Sequence, residues 1–464
     1  MNRVIDIDIL SDRKNSIVLN TKRRNQQISC GQDSSAGSVS QRACVYCGAR
    51  VVLNPITDAY HIVHGPIGCS SYTWDIRGSL SSGSEVYRNS FCTDMREHDI
   101  IFGGEDKLAG AIEEIARAYT PTVIFVYSTC VVGVIGDDID AVCKAMEEKT
   151  GIRVIPVRST GFAGNKASGY RAACDAIMDL IGDAEPPKTR RGLNFLGDFN
   201  LAGEQWIVKG YLNEIGVRMH TAITGDATCA SLKKAAKAKF NIVQCAGSMH
   251  YLARRLEEKF GTPFVSVSFC GVEDTVKSLR TIAKMTRDKN VIQKTEEFVC
   301  AKQQETDEKL ARYRERLAGK KAAIYVGGGF KAISLIKQFA DLGMKTVLVG
   351  TQTGREEEYQ TIRKISDKGT VILDDANPFE LEAFIKETEA DILVGGVKER
   401  PLAYKLGVAF LDHNHERKHP LAGFDGAVNF AQETDDSINN PVWRLIKEDW
   451  GMQREPAKFC QSER

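Results

Sequence analysis

Pro121-Thr-Val-Ile-Phe-Val-Tyr-Ser-Thr-Cys130 is the stretch on which the fold turns. Upstream, Leu108, Ile112, Ile115, Ala116 and Tyr119 recur at helical spacing, and Pro121 ends that pattern. Thr122 to Tyr127 is then a short unbroken apolar run, as expected of a strand covered on both faces of a parallel sheet. Beyond Cys130, Gly136-Asp-Asp-Ile-Asp140 restarts a helix with acids in its first turn, and Arg153-Val-Ile-Pro-Val157 supplies the next strand. A helix between two such strands makes them parallel, and it sets Cys130 at a strand's carboxyl end. That edge is where open α/β sheets carry their ligands.

The same rhythm returns twice. After the linker Pro186-Pro-Lys-Thr-Arg-Arg-Gly192 come a strand end at Leu193-Asn-Phe-Leu-Gly197, a helix from Glu204 to Ile215 and a strand at Val217–His220. Phe240-Asn-Ile-Val-Gln244 then ends at Cys245, repeating the placement of Cys130, and a helix from Ser248 to Phe260 follows. A charged helical connector over 275–318 leads to Lys321–Val326, which ends in Gly327-Gly-Gly329. That loop does not spell Gly-x-Gly-x-x-Gly, which argues against a nucleotide site. Strands at 345–349, 370–373 and 391–394 complete a third alternation. The expected fold class is α/β: three doubly wound, Rossmann-like domains with mostly parallel sheets, whose clefts can hold metalloclusters. The divisions are a flexible N-terminal arm over 1–40, then domains at 41–188, 189–318 and 319–464.

Sixty-two Lys and Arg against 61 Asp and Glu leave no basic footprint for nucleic acid or a membrane surface. The opening residues lack the continuous apolar core of a signal peptide, and no apolar run is long enough to span a bilayer. A cytoplasmic location is expected. In that reducing compartment, 13 cysteines point to metal or catalytic chemistry rather than disulfides.

Three of those cysteines flank Gly-rich turns of the first domain: Cys44, Cys69 after Gly65-Pro-Ile-Gly68, and Cys130. Glycines at the Cys69 turn let backbone N–H groups approach whatever the sulfur holds, as in sites for anionic iron–sulfur clusters; a buried structural thiol is the plain alternative. Thiolates converging from separate loops suit such a cluster, which wants four ligands. Cys47, of the Cys44-Val-Tyr-Cys47 pair, or a partner subunit would supply the fourth. His61 and His64 lack zinc spacing and read as core or hydrogen-bonding residues on a helix or turn edge. The loop with His413, His415 and His419 reads as solvated, with transient metal contact as the sharper alternative.

His64–Arg77, Ser128–Asp138, Cys245–Pro263 and Gly423-Phe-Asp-Gly426 resemble, in order and spacing, motifs of the nitrogenase component 1 superfamily from about residue 44 to about residue 445. The resemblance implies a [4Fe-4S] cluster on Cys44, Cys69 and Cys130, Cys44 being favoured over Cys47 by its separation from Cys69. The fourth ligand would come from a homologous, NifN-like subunit in an α2β2 heterotetramer. It implies a larger iron–sulfur cluster on Cys245. Arg77, Lys166 and Arg171 would contact that anion, although Lys166 and Arg171 also read as solvated loop charges.

The sequence departs from the catalytic subunit at two places. The superfamily's cofactor histidine directly precedes the Gly-Phe/Tyr-Asp-Gly motif, where this chain has Ala422, and Gly161-Phe-Ala-Gly164 is followed by Lys166, Tyr170 and Arg171 in place of a histidine pair. The implied role is therefore a scaffold on which a precursor of the iron–molybdenum cofactor matures, with no catalytic residues of its own. It would receive the cluster from a NifB-type donor, work with the nitrogenase iron protein (NifH), and pass it to apo-nitrogenase component 1. The alternative is a catalytic α-type subunit of a nitrogenase or nitrogenase-like reductase. Cys30 reads as a bystander, and Cys92, Cys143, Cys174, Cys229, Cys270, Cys300 and Cys460 read as structural or surface thiols.

Overall fold

A computed structural model describes residues 15–22, 28–30, 43–74, 89–414 and 417–443. Its strands, in chain order, are β1 (Ile17–Leu19), β2 (Ala59–His64), β3 (Ser90–Cys92), β4 (Val123–Ser128), β5 (Arg153–Val157), β6 (Gly192–Asp198) and β7 (Arg218–Thr224). They continue with β8 (Phe240–Val243), β9 (Phe264–Ser266), β10 (Lys321–Val326), β11 (Lys345–Thr351), β12 (Val371–Asp374), β13 (Ile392–Gly395) and β14 (Ala409–Asp412). Three sheets result, ordered β3-β2-β4-β5, β7-β6-β8-β9 and β1-β12-β11-β10-β13-β14. The expected doubly wound α/β architecture is present, and among the described residues only the β1–β12 pairing is antiparallel. No helix of the described residues is long and apolar enough to cross a membrane.

Each sheet reverses its winding between two neighbouring strands: β2 and β4, β6 and β8, β10 and β13. At such a point the two carboxyl-end loops diverge and leave a crevice. All three crevices carry residues singled out by the sequence. The first two units also share a core: Val63, Phe125 and Ile155 of the first sheet belong with Leu196 and Val243 of the second, the helix Lys166–Ile181 contributing Ala173, Cys174 and Ile177.

Three sequence expectations change. Ile17–Leu19, placed in a flexible arm, pairs with β12, and the amide of Asp374 donates to Ser16 O at 2.9 Å. The physical reason is that β12 would otherwise leave an edge row of backbone groups unpaired. His61 and His64, placed on a helix or turn edge, lie in strand β2. Their core role holds: His61 Nδ1 is 2.9 Å from Tyr127 Oη, and His64 bridges Thr93 Oγ1 at 3.0 Å and Asp137 Oδ2 at 3.1 Å. Two imidazoles in the run Ala-Tyr-His-Ile-Val-His hid its strand character, because buried partners take up both ring nitrogens of His64 and Nδ1 of His61. His413, placed on a solvated loop, is 1% exposed. It directly follows β14, a short strand that the sequence reading passed over.

Candidate metallocluster sites

Cys69 and Cys130 sit on the two loops that diverge at the first switch point. Cys69 lies in the helix Ile67–Trp74 after β2, and Cys130 opens the helix Cys130–Ile135 after β4. Cys44 caps the helix Val45–Leu53, with extended backbone at φ −76° and ψ 177°. Gly161 stands between two of these sulfurs: a Cβ there would lie 2.7 Å from Cys130 Sγ and 3.7 Å from Cys44 Sγ. The Cys69 thiol is pushed up by burial first, and then by the negative charge of Cys130 and Cys44, so the three sulfurs share one neighbourhood.

Cys44 and Cys47 are 3.6 Å apart, sulfur to sulfur. With Cys44 accepting, that hydrogen bond brings its thiol down to about 6, whereas Cys47, buried in the core, is pushed up. The pairing therefore favours the thiolate at half-buried Cys44, the form that binds metal, with Cys47 as the thiol that supports it. Cys92 also lies nearby: its charge is felt at Cys69, and its sulfur takes a hydrogen bond from the Asp94 amide at 3.3 Å. Among the described residues no three His, Cys, Asp or Glu gather tightly enough to hold a single metal ion. A cluster asks for something different, since each thiolate binds its own iron and the ligands stand further apart. The crowding of Cys44, Cys69 and Cys130 around an opening that Gly161 keeps clear fits a group of that kind.

The second site is a cavity of about 640 Å³ where all three units meet. From the second sheet comes Cys245, at the end of β8 and capping the helix Ala246–Phe260. Gly197, at the end of β6 with φ +88°, comes so close that a Cβ there would lie 2.8 Å from the Cys245 amide nitrogen. The helix Lys166–Ile181 brings Lys166, half-buried, and Arg171, exposed at the rim; the third unit brings Lys331 and His413. Ala422, 2% exposed, also lines the cavity, so a buried methyl occupies that part of the wall. Four sequence candidates, Cys245, Lys166, Arg171 and Ala422, therefore meet here. Arg77 and His415 lie outside the described residues, and His419 is exposed and paired with Glu433 at 2.6 Å.

The electrostatics favour an anion. Lys166 and Lys331 stand close enough to Cys245 for its thiolate charge to be felt at both. Burial first, and the neighbouring Arg417 cation second, pull Lys331 down to about 8. Arg417 Nη1 donates to Glu204 Oε1 at 2.7 Å, both side chains being largely buried at 11% and 2% exposure. Asp198 is raised to about 7, mainly by burial and then by the charge of Glu204. Cys270 is a further thiol on the wall, pushed up to about 11 by burial. The sequence reading missed Lys331, Arg417, Asp198 and Glu204, and it left Cys270 as structural. For Lys331 a signal existed, since Gly327 and Gly328, the loop that fails the dinucleotide pattern, line this cavity. Nothing local marks Arg417, which gains its meaning from a residue 213 positions away.

A cysteine-lined switch point beside a cation-lined cavity, built on three mostly parallel sheets, describes a protein that handles anionic metalloclusters. The chain belongs to the nitrogenase component 1 type oxidoreductase family, whose model matches residues 44–439. It is 62% identical to the nitrogenase iron-molybdenum cofactor biosynthesis protein NifE of Clostridium pasteurianum, over 95% of this chain and 98% of that one. It is 48% identical to the protein of the same name from Methanosarcina barkeri, again over 95% of this chain and 98% of the relative. Among solved structures, one titled "Nitrogenase Cp1 at pH 5" superposes with a TM-score of 0.86 at 31% identity, covering 97% of this chain and 98% of that one.

Proposed function

We propose that this chain is a scaffold subunit for biosynthesis of the nitrogenase iron–molybdenum cofactor. It receives a precursor iron–sulfur cluster, holds it while it matures, and passes it to apo-nitrogenase. The observation that carries this reading is the cavity with Cys245 on one wall and the buried methyl of Ala422 where the superfamily's catalytic subunit has a histidine. A cargo anchored by a thiolate but not by an imidazole at 422 is easier to release. Relatives that match 95% of the chain carry a cofactor-biosynthesis name, which favours a scaffold over a catalytic α-type subunit.

In this reading Cys44, Cys69 and Cys130 hold a resident [4Fe-4S] cluster, and a NifN-like subunit completes it across the interface of an α2β2 heterotetramer. The cluster would supply one-electron redox capacity. The chain's own residues favour ionisation of the Cys44 sulfur through Cys47 and keep space open at Gly161. Lys166 and Arg171 would draw the anionic cargo, with Arg77 assigned the same role. A NifB-type protein is the donor, the nitrogenase iron protein assists maturation, and apo-nitrogenase component 1 is the acceptor. We divide the chain at 41–188, 189–318 and 319–464, one sheet to each division, with β1 joining the third sheet from the N-terminal arm.

The test is anaerobic purification with the partner subunit, loading with precursor, and measurement of the rate at which the complex activates cofactor-free nitrogenase. Cys245→Ala should lose the larger cluster and keep the [4Fe-4S] one. Ala422→His should slow transfer, because a neutral imidazole is a competent ligand and would hold the cargo at a second point. Sustained reduction of a small substrate by the parent, given the iron protein and ATP, would replace the scaffold reading with the reductase one.

A further inference from the structure

His413 is a histidine without a job in the fold. It is 1% exposed, yet neither Nδ1 nor Nε2 has a hydrogen-bond partner among the described residues. Its ring meets Phe430 edge-on at 6.2 Å, which fixes its orientation without using either nitrogen. A buried polar group left without a partner costs about 1–3 kcal/mol, so a native structure seldom keeps one without a use. Placement suggests the use: His413 lines the same cavity as Cys245.

The surroundings restrict what the ring can meet there. Lys331 Nζ donates to the His413 carbonyl at 3.0 Å, and Arg417 Nη2 donates to it at 3.1 Å. Burial first, and then the Arg417 and Lys331 cations fixed against its backbone, keep the imidazole neutral. A neutral imidazole carries one N–H donor. The same two cations make this wall attractive to an anion, and the charge of Cys245 is felt at Lys331. The group that best completes the site is therefore an anionic acceptor reaching across from the Cys245 side.

We propose that His413 is a positioning residue for the cargo cluster, donating its ring N–H to a sulfide of the cluster whose iron is bound by Cys245. The inference rests on the scaffold reading above and adds a recognition contact from the third sheet. The donor does not ligate iron, so it adds no second metal bond to be broken at release. Hydrogen bonds to cluster sulfur also raise the reduction potential. His413 would thus steady the cargo and shift its redox poise at once.

The experiment compares the loaded heterotetramer with His413→Leu, which removes the donor, and His413→Gln, which retains an N–H. Three quantities are read: the rate of cargo loss to a chelator, the cargo's reduction potential, and nitrogen modulation of its electron spin echo after labelling with 15N-histidine. We expect His413→Leu to lose cargo on the order of tenfold faster, the equivalent of about 1.4 kcal/mol, with a more negative potential and no histidine modulation. His413→Gln should stay within about threefold of the parent in loss rate and close to it in potential. An unchanged [4Fe-4S] signal serves as the control for folding. Equal cargo loss and equal potential in parent and His413→Leu would overturn the inference while leaving the scaffold reading intact. So would a labelled parent with no nitrogen modulation, a measurement that needs no variant. A parent that never takes up a cluster beyond the resident one would overturn both.

Discussion

The buried pair Arg417–Glu204 separates two effects that a single substitution would confound. Its charges are 2.7 Å apart, and both side chains are mostly withdrawn from water. Removing either partner leaves the other buried and uncompensated, which costs about 3–5 kcal/mol. Arg417→Met and Glu204→Gln should therefore destabilise by similar amounts, lowering the thermal transition by on the order of 10 °C for a unit of this size. Their effects on an anionic cargo should oppose each other. Arg417→Met deletes a cation at the cavity wall; Glu204→Gln frees that cation from its counter-charge. Part of the second gain is returned near pH 7, because Asp198, raised to about 7 partly by Glu204, ionises more fully once that neighbour is neutral. Burial raises Asp198 and lowers Lys331, so all three proteins are compared at one fixed pH. The assay is cargo retained by the loaded complex against a chelator, read beside the melting temperature. Arg417→Met should lose cargo faster than the parent and Glu204→Gln more slowly. If both shift retention in the same direction, stability rather than charge governs holding, and the electrostatic account of the cavity fails.

Cys69→Ala should abolish the [4Fe-4S] electron paramagnetic resonance of the complex, because it leaves an open iron site, whereas Cys47→Ala should keep the iron. Full iron in the Cys69 variant would remove that residue from the ligand set. Glu399 offers a pH test of stability: burial raises its carboxyl to about 7 from an unfolded value near 4.5. Because the folded value is the higher, its contribution is complete below about pH 4.5 and is lost as pH rises through 7, on the order of 3 kcal/mol in all. Glu399→Gln should flatten that slope in urea titrations between pH 5 and 7.5, and an identical slope in both proteins would contradict it.

Much of this was legible in the sequence because parallel sheets bury strands on both faces, and runs such as Thr122–Tyr127 have no other comfortable place. The strand-end cysteines followed from that alone. What stayed hidden depends on pairings between distant segments. Strand β2 carries its two histidines inside the core where Tyr127 meets one nitrogen of His61 and Thr93 and Asp137 meet both of His64, and none of the three is near in sequence. Strand β1 exists because β12 offers an edge, which no local pattern in Ile17–Leu19 reveals. Arg417 reads as one charge in a polar loop until Glu204 and His413 are placed beside it. Charge in a cavity is a property of the assembled units, so periodicity could not report it.

The two sites differ in how many units build them, and that difference bears on what each can release. Cys44, Cys69 and Cys130 belong to one sheet and its helices, so breathing between units leaves their spacing unchanged. A group they hold stays until a metal–thiolate bond breaks. The cavity takes Lys166 from the first unit, Cys245 from the second, and Lys331 and His413 from the third. Small relative movements there would weaken several charge and hydrogen-bond contacts at once while leaving each unit folded. Only the Cys245 thiolate would then remain to be exchanged, and a thiolate on an acceptor protein can replace it by direct substitution. Such a construction would keep a cluster held by the three cysteines and let a cargo at Cys245 go.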